Sequence, residues 1–276
     1  MRCQHGGKQR LLRALLILGC CSLGWLLYDV RGAFCVVRAL RPRSAVPQRA
    51  LPAGLEDLPD TAKAWAEKHF VDEAGHRMQS TFPFSPEELV VKAKRFLALN
   101  DGFAGTVGDM MADEFEFAGP VVGPLSKQAY LDSIVGFNFY EFFPDANFEF
   151  YDFRVDAFEP NRVWFTSRGK GTQTGTSNET PLFKKATGKS YVNPPQTNSL
   201  TFNEKGLVTQ YTIGYVMDRR VGNSGGLGGI YGILYAVGKP FPFPEANPRK
   251  RSLRMKLFNK LGQIMAAQKA KKTRGE

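Results

Sequence analysis

The sequence predicts an α+β domain of three N-terminal helices and a short strand, followed by four antiparallel strands that suggest a curved sheet. Three observations predict it. Ser85-Pro86-Glu87-Glu88 is a helix start, followed by apolar residues at helical spacing. From Asn147 to Asp218 the chain reads as a set of long strands. The order is helix, helix, short strand, helix, then four strands, with no internal repeat.

Residues 56–84 form an extension ahead of the domain, helical around Thr61–Phe70 and broken by Phe82-Pro83-Phe84. The domain spans 85–218. Ser85 caps its first helix, Pro86 takes the first helical position, and Leu89, Val90, Ala93, Phe96 and Leu97 share one face to Asn100. Gly102 opens a second short helix through Met111, and Asp113-Glu114-Phe115-Glu116-Phe117 alternates as a short strand. Gly119-Pro120 and Gly123-Pro124 turn the chain. Ser126 caps a third helix with Tyr130, Leu131, Ile134 and Phe137 on one face.

In the first long strand, Phe148, Phe150, Asp152 and Arg154 alternate against Glu149, Tyr151, Phe153 and Val155. The second, Arg162–Thr174, puts Trp164, Thr166 and Arg168 on one side. A looser insert, 177–195, follows. Thr197–Asn203 and Leu207–Asp218 form a hairpin closed by Asn203-Glu204-Lys205-Gly206, with Tyr211 and Tyr215 on one face. Residues 219–248 are rich in Gly and Pro. Within them Val221–Gly238 carries no charge and seven glycines, which suits a packed loop and short helix. Lys239-Pro240-Phe241-Pro242-Phe243-Pro244 is a rigid connector. Residues 249–276 form a basic amphipathic helix with Leu253, Leu257, Phe258, Leu261, Ile264 and Met265 on one stripe. It either docks on the body, the favoured expectation, or lies on an anionic membrane through 252–272.

The net charge of +11 is unevenly placed. Residues 1–55 hold nine Lys/Arg and one acid, and residues 249–276 hold ten and one, leaving 18 bases against 24 acids between them. A body of net charge −6 argues against nucleic-acid binding. Lys8, Arg10 and Arg13 precede an apolar run, Ala14–Tyr28, too short for a typical membrane span. Arg31-Gly32-Ala33-Phe34 and an acid-poor stretch rich in Arg and Pro follow. A signal-like segment (1–33) and a transit-like segment (34–55) in this order resemble the bipartite leader of algae with secondary plastids. That resemblance implies a plastid address; the alternative is the secretory pathway. All four cysteines (Cys3, Cys20, Cys21, Cys35) lie in or beside this leader, and the histidines (His5, His69, His76) all precede the strands. Thiolate metal sites and a Cys nucleophile drop out once the leader is removed.

The element order, Asp113–Phe117 before Gly119-Pro120, Gly171-Thr172-Gln173-Thr174-Gly175, Ala186-Thr187-Gly188-Lys189 and a last strand ending at Asp218 together resemble the SnoaL-like (polyketide cyclase-related) family of the nuclear-transport-factor-2-like superfamily. The resemblance covers about 85–218. It implies a cone enclosing a deep pocket, in which a strongly bent antiparallel sheet wraps the three N-terminal helices, and a homodimer through the sheet. It also implies that Asp218 occupies the place of a general acid/base, its pKa raised by an apolar cone, and that Asp113 lines the cone. Gln173 stands where many members carry His, and Gln does not exchange protons near neutral pH. An Asp–His dyad therefore cannot be built within the strands.

Aromatics are the main resource of the expected pocket: 21 of the chain's 34 fall between Gly102 and Asp218. Tyr130, Phe137, Tyr140, Trp164, Arg168, Gln173, Tyr211 and Tyr215 are the candidate ligand contacts. Parity leaves open whether Trp164 and Arg168 face the pocket or a dimer interface. The leading expectation is non-catalytic binding of a hydrophobic small molecule (pigment, polyketide, terpenoid or lipid), without cofactor or metal. The alternatives are a cofactor-free isomerase or cyclase using Asp218, and a thylakoid-associated assembly or scaffold protein.

Overall fold

A computed structural model describes residues 54–101, 107–135, 139–176, 183–250 and 252–273. The leader and Phe137 lie outside the described residues. The helix Pro86–Asp101 starts as its sequence requires: the Glu88 amide donates to Ser85 Oγ (3.2 Å) and the Ser85 amide donates to Glu88 Oε2 (2.7 Å). This reciprocal pair satisfies amides that a helix end otherwise leaves open. Leu89, Ala93, Phe96 and Leu97 recur every three to four residues, so they share one face, and all are buried.

That face packs into a curved six-stranded sheet of order β2-β1-β8-β7-β4-β3. The strands are β1 Met111–Ala118, β2 Leu125–Ser126, β3 Tyr151–Val155, β4 Arg162–Ser167, β7 Gln196–Phe202 and β8 Val208–Val216. Helix Lys127–Val135 packs on β1. The α+β cone expected from the sequence is the architecture observed, with a correction to one pairing: β1 runs parallel to β8, while every other neighbour is antiparallel. A parallel neighbour needs a long crossover, and everything from β2 to β7 supplies it. On the concave face Val163 pairs with Leu200 and Leu200 with Tyr211. All three are buried beside Phe96, Phe115 and Phe165.

The expected strand Arg162–Thr174 breaks at Arg168-Gly169. Its second part, β5 Lys170–Thr172, pairs instead with β6 Ser190–Val192 in a separate two-stranded sheet. Around this sheet a second aromatic cluster forms from Phe139, Phe142, Phe143, Phe183, Tyr191, Ile233, Leu234 and Val237. The last three come from the glycine-rich tail, whose helix Gly229–Ala236 is thereby packed on the body. No helix among the described residues is long and apolar enough to cross a membrane.

A bulge near the end of β8 decides which way its tyrosines point. Thr197 pairs with Tyr215 but Ser199 pairs with Thr212, so β8 carries one extra residue. Gly214 sits there at φ +89°, its amide donating to Asn198 Oδ1 (2.9 Å). Tyr211 is consequently buried and Tyr215 is 46% exposed. The two do not share a face, contrary to the simple alternation. The closing helix, Leu253–Thr273, corrects a second expectation: its described side chains are all exposed, so it is not docked on the body.

Gly214→Ala should place a Cβ in left-handed backbone and cost about 1–2 kcal/mol, read as a lower urea midpoint at unchanged slope.

Candidate functional site

Beside the buried helix face lies a groove of about 510 Å³. One wall is Lys94, Leu97 and Ala98; the other is the chain from Ala146 to Phe153, with Tyr140 at one end. Phe148, Phe150 and Phe153 supply its aromatic surface. Phe148 and Phe150 stack with centroids 5.9 Å apart, and Phe153 stacks on the core ring Phe165 at 5.1 Å. Lys94 Nζ lies 5.2 Å above the Phe153 ring, a cation held over a π face.

The alternation assigned Phe153 to the face opposite Phe148 and Phe150; the structure brings all three to one groove. The cause is a shift in register between Tyr151 and Arg154, with Glu149 and Asp152 in left-handed backbone at φ +46° and +58°. Left-handed backbone is unfavourable for a residue with a side chain, least so for Asp. Local bonds hold the kink: Asn147 exchanges backbone bonds with Lys170, its Oδ1 accepts from the Glu149 amide (3.2 Å), and the Lys170 ammonium pairs with the Glu149 carboxylate. Phe148, Phe150 and Phe153 were not among the sequence candidates. Their spacing of two and then three residues was the available sign.

The two acids proposed for catalysis lie elsewhere. Asp218 is two residues beyond β8 and forms a fork with Arg220, Nε to Oδ1 at 2.9 Å and Nη2 to Oδ2 at 2.8 Å, with the Arg220 amide donating at 3.0 Å. These bonds, the side-chain pair foremost, hold its carboxyl down at about 2. A raised value was expected, so the general-acid assignment is corrected: this group stays ionised at the surface. Asp113 has a fully exposed side chain, 3.9 Å from Lys127 Nζ, in the stretch between Met111 and Glu116 where the register of β1 against β8 shifts, so it does not share the inward face of Phe115.

The remaining candidates divide. Tyr140 lines the groove. Tyr130 and Tyr211 are buried in the cone, where the Tyr130 hydroxyl donates to Asn100 Oδ1 (2.7 Å) and the Tyr211 ring meets Phe96 edge-on. Trp164 faces away from the core. Its indole N–H donates to Asp156 (2.8 Å) and the Arg162 guanidinium stacks 4.2 Å above it. Arg168 is exposed at the strand break. Gln173 is fully buried, but its amide donates to the Gly175 carbonyl (2.7 Å) and accepts from the Thr187 amide (2.6 Å). It holds backbone together. His69 stacks on Trp65 and His76 lies against Phe158, both outside the cone.

Tyr191, not nominated from sequence, is fully buried nearby. Its ring is enclosed by glycines: a Cβ at Gly171 would stand 2.9 Å from Tyr191 Cε1 and 3.2 Å from both its hydroxyl and Ala146 Cα. The glycines of the 171–175 turn are thus explained by close packing, since a Cβ at Gly175 would also collide with the Glu141 carbonyl. The Tyr191 hydroxyl and Asn193 Oδ1 are buried without a hydrogen-bond partner among the described residues. Burial, and then the nearby Asp145 charge, push the Tyr191 hydroxyl well above the usual tyrosine range. Asp145 remains ionised because the Thr172 amide donates to it (2.6 Å). No metal-ligating cluster of three occurs among the described residues.

Several solved structures are similar to this chain at low identity. A candidate hydroxylase, AclR of Streptomyces galilaeus, is 14% identical over 67% of this chain and 98% of its own, at a TM-score of 0.40. A candidate SnoaL-like polyketide cyclase of Jannaschia sp. CCS1 is 17% identical over 49% and 88%, at 0.36. An NTF2-like protein of Burkholderia thailandensis is 15% identical over 45% and 88%, at 0.34. No family model matches, and no curated protein matches.

The raised Tyr191 pKa sets a pH dependence. The folded state keeps this proton above the unfolded value of about 10, so stability should be unaffected below that pH and fall as pH rises through it. Tyr191→Phe should remove this alkaline loss and leave stability at pH 7 equal or higher, since an unpaired buried hydroxyl goes with it. Urea titrations at pH 7 and pH 11 check both.

Proposed function

We propose that this protein binds a hydrophobic small molecule without transforming it, and that the aromatic groove beside Pro86–Asp101 is the place. The observation that carries this reading is a separation. The apolar, ring-lined space lies at 140–153, while both acids suited to proton transfer by sequence are at the surface, Asp218 forked by Arg220 and Asp113 beside Lys127. Proton transfer needs a titrating group within hydrogen-bond reach of the substrate. The charged groups lining the groove are Lys94 and Glu149, and Glu149 is paired to Lys170. A lysine beside stacked rings suits a flat or extended apolar molecule with a weakly polar or anionic edge. The leader supports delivery of this binding protein to a plastid. A fluorescent fusion of residues 1–55 should reach that compartment, and retention in the secretory pathway would contradict the address.

Nile red titrated into the purified protein should show saturable fluorescence enhancement. Ala98→Trp, at an exposed position on the groove wall, and Phe148→Ala should each weaken it by about ten-fold or more, roughly 1.4 kcal/mol. Asp218→Asn and Asp113→Asn should leave it within about two-fold. Binding indifferent to Ala98→Trp would remove the groove from the proposal.

A further inference from the structure

The helix Leu253–Thr273 has an apolar face that the body does not cover. Leu253, Leu257, Phe258, Leu261 and Ile264 are 45–81% exposed. At 100° per residue these five fall within an arc of about 140°, the geometry of a single stripe rather than scattered surface hydrophobes. The stripe is confined to the first three turns. From Ala266 onward the helix carries Ala, Gln, Thr and Lys269, Lys271 and Lys272 instead. Lys256 and Lys260 flank the stripe, Arg254 lies within it, and Arg249 and Lys250 precede the helix. The whole segment 249–276 holds ten cations and a single acid, Glu276.

The connector ahead of this helix is tied to the body. The Phe241 and Phe243 rings stack at 5.3 Å, both meet Tyr231 edge-on, and Asn247 Nδ2 donates to the carbonyls of Phe241 and Phe243. Beyond this connector, the described side chains of the helix leave apolar and cationic groups exposed together. Too polar to cross a bilayer, it has the make-up of a helix that lies in the plane of one: large apolar residues for the acyl boundary, and long cations that keep their heads among the phosphates. We propose that this helix seats the protein on an anionic lipid bilayer, with Leu257, Phe258 and Leu261 buried at the interface and the lysines on the headgroups. Charge complementarity selects the occupant, because ten cations and one acid match an anionic headgroup layer. The seating is independent of what the groove binds.

The full chain should be floated with phosphatidylcholine vesicles, with and without phosphatidylglycerol. It should partition onto the anionic vesicles at least about ten-fold better, and less so as salt is raised. Leu257→Asn with Phe258→Asn should lower anionic partitioning by about ten-fold or more, with circular dichroism of the body unchanged. Lys256→Gln with Lys260→Gln should lower it less, and flatten its salt dependence. Failure to bind either vesicle type, or binding indifferent to the Leu257/Phe258 pair, would overturn the proposal. A dimer in light scattering that these substitutions dissolve, without vesicle binding, would assign the stripe to a second copy instead.

Discussion

Contact between the apolar face of Pro86–Asp101 and the concave side of the sheet organises the rest of the molecule. Phe96, wholly buried, meets Tyr211 edge-on from the helix side, while Leu200 and Phe165 complete the wall. A sheet that curves around a helix cannot keep strict two-residue alternation along every strand. Here the irregularities fall at Gly214 on β8 and at Tyr151–Arg154 on β3. Each redirects an aromatic: Tyr215 outward, Phe153 into the groove. The groove is therefore a by-product of closing the core, with the flank of the same helix as its second wall.

Three buried side-chain amides hold backbone together. Asn198 ties the Gly214 bulge, Gln173 ties the 171–175 turn to Thr187, and Gln196 Oε1 accepts from the Gly229 amide at the head of the tail helix. Burying such groups unpaired costs more than their bonds return, and these three amides are each matched to a chain crossing. Gln173, used as a two-ended backbone staple, does not exchange protons near neutral pH, and His69 and His76 lie outside the cone.

Local signals were legible in the sequence. The Ser85/Glu88 capping box, the helical spacing behind it, the Asn203–Gly206 hairpin turn and the packed glycine-rich tail all rest on residues within a few positions of each other. What was not legible depends on distant partners. The parallel β1–β8 pairing joins segments about a hundred residues apart in sequence. The bulges reverse parity, so Tyr215 and Phe153 were assigned to the wrong faces. Asp218, read as the end of the last strand, lies two residues beyond it, and its fate turned on Arg220, whose guanidinium matches its carboxylate two residues away. The break at Gly169 and the enclosure of Tyr191 depend on a pairing between β5 and β6 across the insert.

The most direct measurement is native mass spectrometry, with organic extraction, of the protein purified from its own source. The groove reading requires close to one equivalent of an apolar molecule, absent from the same preparation of Ala98→Trp. Recovery of only the bare chain from both, under conditions that retain weakly held apolar ligands, would contradict it.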